Sequence, residues 1–251
     1  MRFSPPPPTT LRDLSHAIER VQNRFAAARP DAPDAVPTGW PGVDHALGGL
    51  RRQVVHEWLA DPHPAGFNAP LALLAHLAAQ AQRQTDHARL AVWIGRPCWP
   101  HPRALPAPLL ERSIFVDASD RAERVWATDL CLRSPAAGVV IADARALDMS
   151  SSRRLQLAAG AGDALALLAR PWRERHRISA AWTRWRAEPE PSDTPSPRWA
   201  IQLLRCKGMQ PDEERTRWSV LRDDATGDVR VVPDAPDRSA PTVRPARLAL
   251  A

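Results

Sequence analysis

The run Ala137 to Ala142 (AGVVIA), ended by Asp143, constrains this chain most. An unbroken apolar run of that length marks a strand buried on both faces, and such strands belong to parallel sheets covered by helices. It has companions. Val54 to Trp58 comes before it, as do Leu90 to Ile94 (LAVWI), closed by Gly95 and Pro97, and the shorter Ser113 to Val116 (SIFV); Ala164 to Leu168 (ALALL) comes after. Helical stretches lie between them. Pro70 to Gln84 carries Leu71, Leu74, Ala75, Leu77, Ala78 and Ala81 on one face, with Pro70 suited to a first turn. Asp120 to Arg133 has Ala122, Val125, Trp126, Asp129 and Leu130 at helical spacing, and Ser150 to Ala161 is a third helix. Strand and helix alternating at these lengths predict an α/β fold: a mostly parallel sheet flanked by helices.

The end of the core reads differently. Ile178 to Arg186 and Arg198 to Cys206 are strand-like, and the loop Pro189 to Pro197 joins them. This predicts a C-terminal β-hairpin that extends the sheet in antiparallel fashion. Trp218 to Arg222 and Val229 to Val232, around Thr226-Gly227-Asp228, predict a last hairpin. Residues 36–232 are therefore the core, and the proline-rich tail 233–251 is expected to be disordered. Residues 1–35 hold the proline run Pro5 to Pro8, an amphipathic stretch and the linker Pro30-Asp31-Ala32-Pro33-Asp34. In the amphipathic stretch Leu11, Leu14, Ile18, Val21 and Phe25 step by three and four residues, which puts them on one helical stripe behind the N-cap Thr10. Such a stripe docks on its own domain or on a neighbouring subunit or partner.

Composition narrows the classes. The net charge is +6, and of 34 basic residues all but Lys207 are arginine; tyrosine is absent. That bias reads first as a GC-rich genome, and it permits contact with nucleic acid without requiring it. Cys98, Cys131 and Cys206 stand far apart and suit a reducing cytoplasm. Cys98 and His101 have the spacing of two metal ligands, but no second pair follows, so no metal site is expected. The prolines at 5 to 8 replace the apolar run of a signal peptide, and no run approaches the roughly 20 residues of a membrane span. A soluble cytoplasmic protein with no membrane contact is expected. No Ser/His/Asp set, carboxylate pair or glycine-rich fingerprint points to another enzyme class.

Two places concern chemistry. Leu59 to Asn68 follows a strand and precedes a helix, as a phosphate-binding loop does, yet it has one glycine, Gly66, and no lysine, serine or threonine. Pro62, Pro64 and Pro70 remove N–H donors that phosphates would use. Asp143 stands where a Walker B acid would. It reads as a remnant of such a site or as a strand-end acid capping the next turn. The second place is basic and aromatic: Arg170, Trp172, Arg173, Arg175, Arg177, Trp182, Arg184, Trp185 and Arg186, with Glu174 the one acid among them. Single-stranded nucleic acid is bound by such a mixture of cations and flat rings. The other reading is a sheet-edge strand that its arginines keep soluble.

Five stretches together resemble one family. They are the VPTG…LGGL lead from Val36, GVVIADARAL from Gly138, RRLQLAAGAGDALALLARP from Arg153, AAWTRWRAEP from Ala180, and AIQLLRCKG from Ala200. In order and spacing, over roughly residues 36–208, they are similar to ImuA, the RecA-like (also SulA-like) family of bacterial damage-inducible mutagenesis cassettes. The resemblance implies a RecA-like fold with a degenerate Walker A loop, no nucleotide cofactor and no enzyme activity. The position of a catalytic glutamate, after LAVWI, is taken by Gly95-Arg96. It implies a non-catalytic adaptor in the SOS response, supporting translesion DNA synthesis. The implied partners are a Y-family-like polymerase homologue (ImuB) and an error-prone replicative-type DNA polymerase, with RecA, a second copy of the chain and single-stranded DNA as further candidates. A DNA-stimulated ATPase of the recombinase type and a stand-alone single-strand binder are the alternatives.

Overall fold

The structure, a computed structural model, describes residues 35–60, 67, 69–84, 89–212, 215–223 and 226–232. The proline lead, the Leu11 to Phe25 stripe, the tail from Pro233 and the loop residues 61–66 and 68 lie outside these residues.

The described chain opens with a clasp. Strand β1 (Ala35–Val36) pairs antiparallel with β2 (Leu50–Arg51), and helix α1 (Pro41–Leu47) lies between them. Asp44 holds the clasp shut: its carboxylate accepts from the Thr38 N–H and hydroxyl at 2.8 Å each and from the Gly39 N–H at 3.1 Å. Trp40 is thereby driven into the core, where its Nε1 donates to the Val229 carbonyl.

One nine-stranded sheet follows. Strands β3 (Val55–Ala60), β4 (Leu90–Ile94), β5 (Ser113–Val116), β6 (Ala137–Asp143) and β7 (Leu165–Pro171) are parallel. Their connections carry α2 (Leu71–Arg83), the short α3 (Ala107–Glu111), α4 (Arg121–Arg133) and α5 (Met149–Ala161). Then come β8 (Thr183–Glu190), β9 (Arg198–Cys206), β10 (Arg217–Arg222) and β11 (Val229–Val231). The order across the sheet is β11-β10-β9-β8-β3-β7-β6-β4-β5. Helix α2 and the clasp pack on one face, with Trp40, Trp58, Trp93 and Trp185 in that core; α4 and α5 pack on the other, over Val55, Val92, Val140 and Leu168. This is a RecA-like α/β layout: a mostly parallel sheet extended by antiparallel C-terminal strands.

One expectation needs correction. The run from Ile178 is strand only from Thr183, because the segment before it crosses from the end of β7 to the start of β8. The expected C-terminal hairpin is present, β8 pairing antiparallel with β9, and it joins the sheet through β8 lying parallel to β3. And α4 turns inward Arg124, Ala127, Thr128 and Leu132 (Ala127 and Leu132 pack in the core), while Trp126 and Leu130 point out. The capping box Asp120–Glu123 fixes where that helix starts, and tertiary packing decides which side it buries.

Candidate functional site

In a parallel sheet with helices on both faces, ligands bind at the carboxyl ends of the strands. Here β4 and β6 end side by side, at Ile94 and Asp143. Asp143 is buried and its carboxylate is taken. Arg145 donates to it through the backbone N–H at 3.1 Å, through Nε at 2.9 and 3.0 Å, and through a terminal nitrogen at 2.8 Å. Arg124, reaching over from α4, places its Nε 3.4 Å from the same carboxylate and 3.2 Å from the Asp143 carbonyl. The backbone bond from Arg145 is the turn cap that one reading of the sequence expects of a strand-end acid. Among the described residues, all the hydrogen bonds to this carboxylate come from Arg145, and the Arg124 charge stands beside it, so a cation would compete with two positive groups already in place.

The neighbouring position is closed too. Gly95 follows β4 with φ +83°, and a Cβ there would lie 2.9 Å from the Asp143 Cβ and 3.2 Å from the Arg124 Cδ. A glutamate side chain has no room at Gly95. Above Asp143, Phe67 stands 5.5 Å from the Arg145 guanidinium, ring against cation, and packs onto the core. Cys98 lies beneath, where burial first and the Asp143 charge second push its thiol well above the usual range. Among the described residues no three His, Cys, Asp or Glu side chains gather as metal ligands. A separate apolar cleft of about 200 Å³ lies beside α2. Its buried polar group, His76, has both ring nitrogens engaged, with Thr38 O and Val229 N–H.

The nine basic and aromatic residues do not form one surface. Arg170 is buried, bonded to Glu57 at 2.9 Å and to Glu174 at 2.8 Å. Arg184 is buried against the other oxygen of Glu57, at 2.8 Å. Trp185 is fully buried, stacked on Trp58 with ring centres 5.2 Å apart, and β8 is an interior strand, not an edge. Trp182 is buried with Arg51 and Lys207 against its ring. Arg186 lies 4.4 Å from the ring centre of the half-buried Trp172. Arg173, Arg175 and Arg177 do reach solvent, with Arg175 also against Trp172. The buried frame Glu57–Arg170–Glu174–Arg184 holds the turn that presents these three. Arg124, Arg145 and Glu57 were missed as site-forming residues. Only Glu57 left a signal: an acid inside the apolar run VVHEWLA needs a buried cation. The five stripe residues, Gly66, Pro62 and Pro64 lie outside the described residues; Pro70 is described, and it is the N-cap residue of α2.

No family model matches the chain. The chain is similar to Protein ImuA from two strains of Caulobacter vibrioides: 35% identical over 116 residues, which cover 40% of this chain and 48% of the relative. The ImuA resemblance read from the sequence is thus supported by curated relatives of that name. The chain spans about half the length of the curated relatives it matches. No helix of the described residues is long and apolar enough to cross a membrane.

Proposed function

We propose that this protein is a non-catalytic RecA-like adaptor of damage-induced mutagenesis, which recruits or supports an error-prone polymerase during translesion synthesis. One observation carries the non-catalytic part: the Asp143 carboxylate is held by Arg145 and Arg124, and Gly95 leaves no space for a second acid. The similarity to Protein ImuA supports the cellular role, and with it the cytoplasm as location. The partners on this reading are the ImuB-type polymerase homologue and the replicative-type error-prone polymerase. Leu11, Leu14, Ile18, Val21 and Phe25 are the contact offered to them.

Two measurements test it. Titration of the purified chain with ATP and magnesium is expected to show no saturable binding in the micromolar range. Saturable binding that Asp143→Ala abolishes would favour the recombinase-type ATPase instead. In cells, deletion of the gene is expected to bring ultraviolet-induced mutations down to the spontaneous level. An unchanged induced frequency sinks the adaptor reading.

A second reading, contact with single-stranded DNA, is favoured by the exposed turn bearing Arg173, Arg175 and Arg177. Its affinity should fall steeply with salt. Each arginine removed should lower the slope of log affinity against log salt by about 0.7 if it neutralises one phosphate.

A further inference from the structure

Helices α4 and α5 form one layer, and its outer side carries large apolar side chains that nothing among the described residues covers. Trp126 on α4 is 61% exposed, Leu130 on α4 is 55% exposed, and Leu157 on α5 is 71% exposed. Trp126 and Leu130 are one turn apart. Asp129 ties the two helices together: it bonds Arg133 on its own helix and Arg154 on α5, at 3.3 Å each. At their far ends the helices pack so closely that a side chain at Gly162 would strike the Leu132 carbonyl. Leu130 follows Asp129 and Leu157 is one turn beyond Arg154, so the two leucines flank that bridge on one surface. Single surface leucines need no explanation, but an indole exposed to this degree beside two of them marks an interaction surface.

Two properties of this surface say what covers it. The first is charge. Arg133 is one turn from Leu130, and Arg153 and Arg154 are each one turn from Leu157. Arg133 and Arg154 share the single carboxylate of Asp129, and the exposed Arg153 has no ion pair among the described residues. Three guanidiniums therefore stand around the leucines against one acid. At the other end of the helices the charges match: Arg121 bonds Asp148 at 3.0 Å, and Glu123 is turned back onto the Ser119 N–H. The second property is size. Each helix has 13 residues. Two such helices, about 20 Å long and about 10 Å apart, offer an outer surface on the order of 400 Å². A stable dimer takes about 800 Å² from each partner, so the surface is too small for a second copy and the right size for a single helix laid along the furrow. We infer that α4 and α5 are the docking groove for one amphipathic helix of another protein, with apolar anchors at helical spacing for Trp126, Leu130 and Leu157 and carboxylates for the arginines beside them. A nucleic-acid strand would answer the arginines and leave both leucines in water. The inference goes beyond the adaptor reading and stands or falls separately from it.

A displayed library of helical peptides of about four turns, randomised without bias in charge and selected on the purified full chain, tests this. Selected peptides are expected to carry apolar residues one turn apart on a single side and a net negative charge. Their affinity should fall at least about tenfold for Leu130→Asp/Leu157→Asp. It should fall at least about threefold for Arg153→Glu. All three positions are exposed, and an unshifted urea midpoint is the control for folding. Absence of binders overturns the inference. So do binders that ignore the two leucines, and so do binders enriched in lysine and arginine. Two rival occupants have signatures of their own, and either overturns it. Binding of an oligothymidylate strand that Trp126→Ala abolishes would make the surface a nucleic-acid platform. A wild-type dimer in sedimentation that Leu130→Asp/Leu157→Asp dissolves would make the occupant a second copy.

Discussion

Gly95 shows how one backbone conformation can decide a site. Its φ of +83° is open to glycine and costs other residues about 1 kcal/mol, and the space where a Cβ would go is already taken by Asp143 and Arg124. Gly95→Ala should therefore destabilise the fold by about 2–3 kcal/mol, seen as a lower urea midpoint with an unchanged slope. An unshifted midpoint would mean that Asp143 and Arg124 move aside freely. Much at this scale was legible. Gly95 closing a strand and Asp143 ending one both show in the sequence. Arg124 was not, because nothing in helical spacing says that a cation 19 residues before Asp143 folds back onto it.

At the scale of elements, the seam between β3, β7 and β8 is held by charge as much as by apolar packing. Glu57 sits on β3 and takes Arg170 from β7 and Arg184 from β8, one on each oxygen. The Ser179 hydroxyl donates to it as well. Glu57→Gln leaves two buried guanidiniums with Glu174 alone and should cost about 3–5 kcal/mol in chemical denaturation. Arg173→Ala and Arg177→Ala lie on the exposed turn of the same segment and should change stability by less than about 0.5 kcal/mol. If Arg170→Ala proved as mild as Arg173→Ala, the seam would not depend on charge. Sequence alone treats these arginines as one basic run. What separates them is the strand pairing, a long-range fact that composition does not carry. Element existence was far easier to read: Leu90–Ile94 and Ser113–Val116 stand where the apolar runs put them. The inward side of α4 was not, since Trp126 and Leu130, which are exposed, are more apolar than Arg124 and Thr128, which are buried.

Across the whole molecule, two buried histidines set the acid limit. Each is wired as a neutral ring. His56 Nδ1 accepts from the Thr183 hydroxyl at 2.7 Å while its Nε2–H donates to the Arg51 carbonyl at 2.8 Å; His76 accepts from Val229 N–H and donates to Thr38 O. Burial lowers His56 from 6.5 to about 4, and it lowers His76 in the same direction. The unfolded chain takes up protons below about pH 6.5 and folded His56 does not until about pH 4, so stability falls as pH falls through that window. His56 alone should account for about 3 kcal/mol. Denaturation midpoints measured from pH 7 to 4 should show the fall, and His56→Gln should flatten most of it. A wild-type profile flat across the window would place His56 in contact with water.

The packing of Gly95 against Asp143 and Arg124 also bears on what descent can do with this molecule. A lineage that set out to acquire an acid at position 95 would meet a collision first and any benefit later. Arg124 would have to shorten before Gly95 could lengthen, and shortening Arg124 alone leaves Asp143 with half its counter-charge. Each single step is a loss, so no selectable path of one-residue changes leads from this arrangement to a paired-acid centre. Variation should instead accumulate where it is cheap, on the exposed turn after Trp172 that carries Arg173, Arg175 and Arg177.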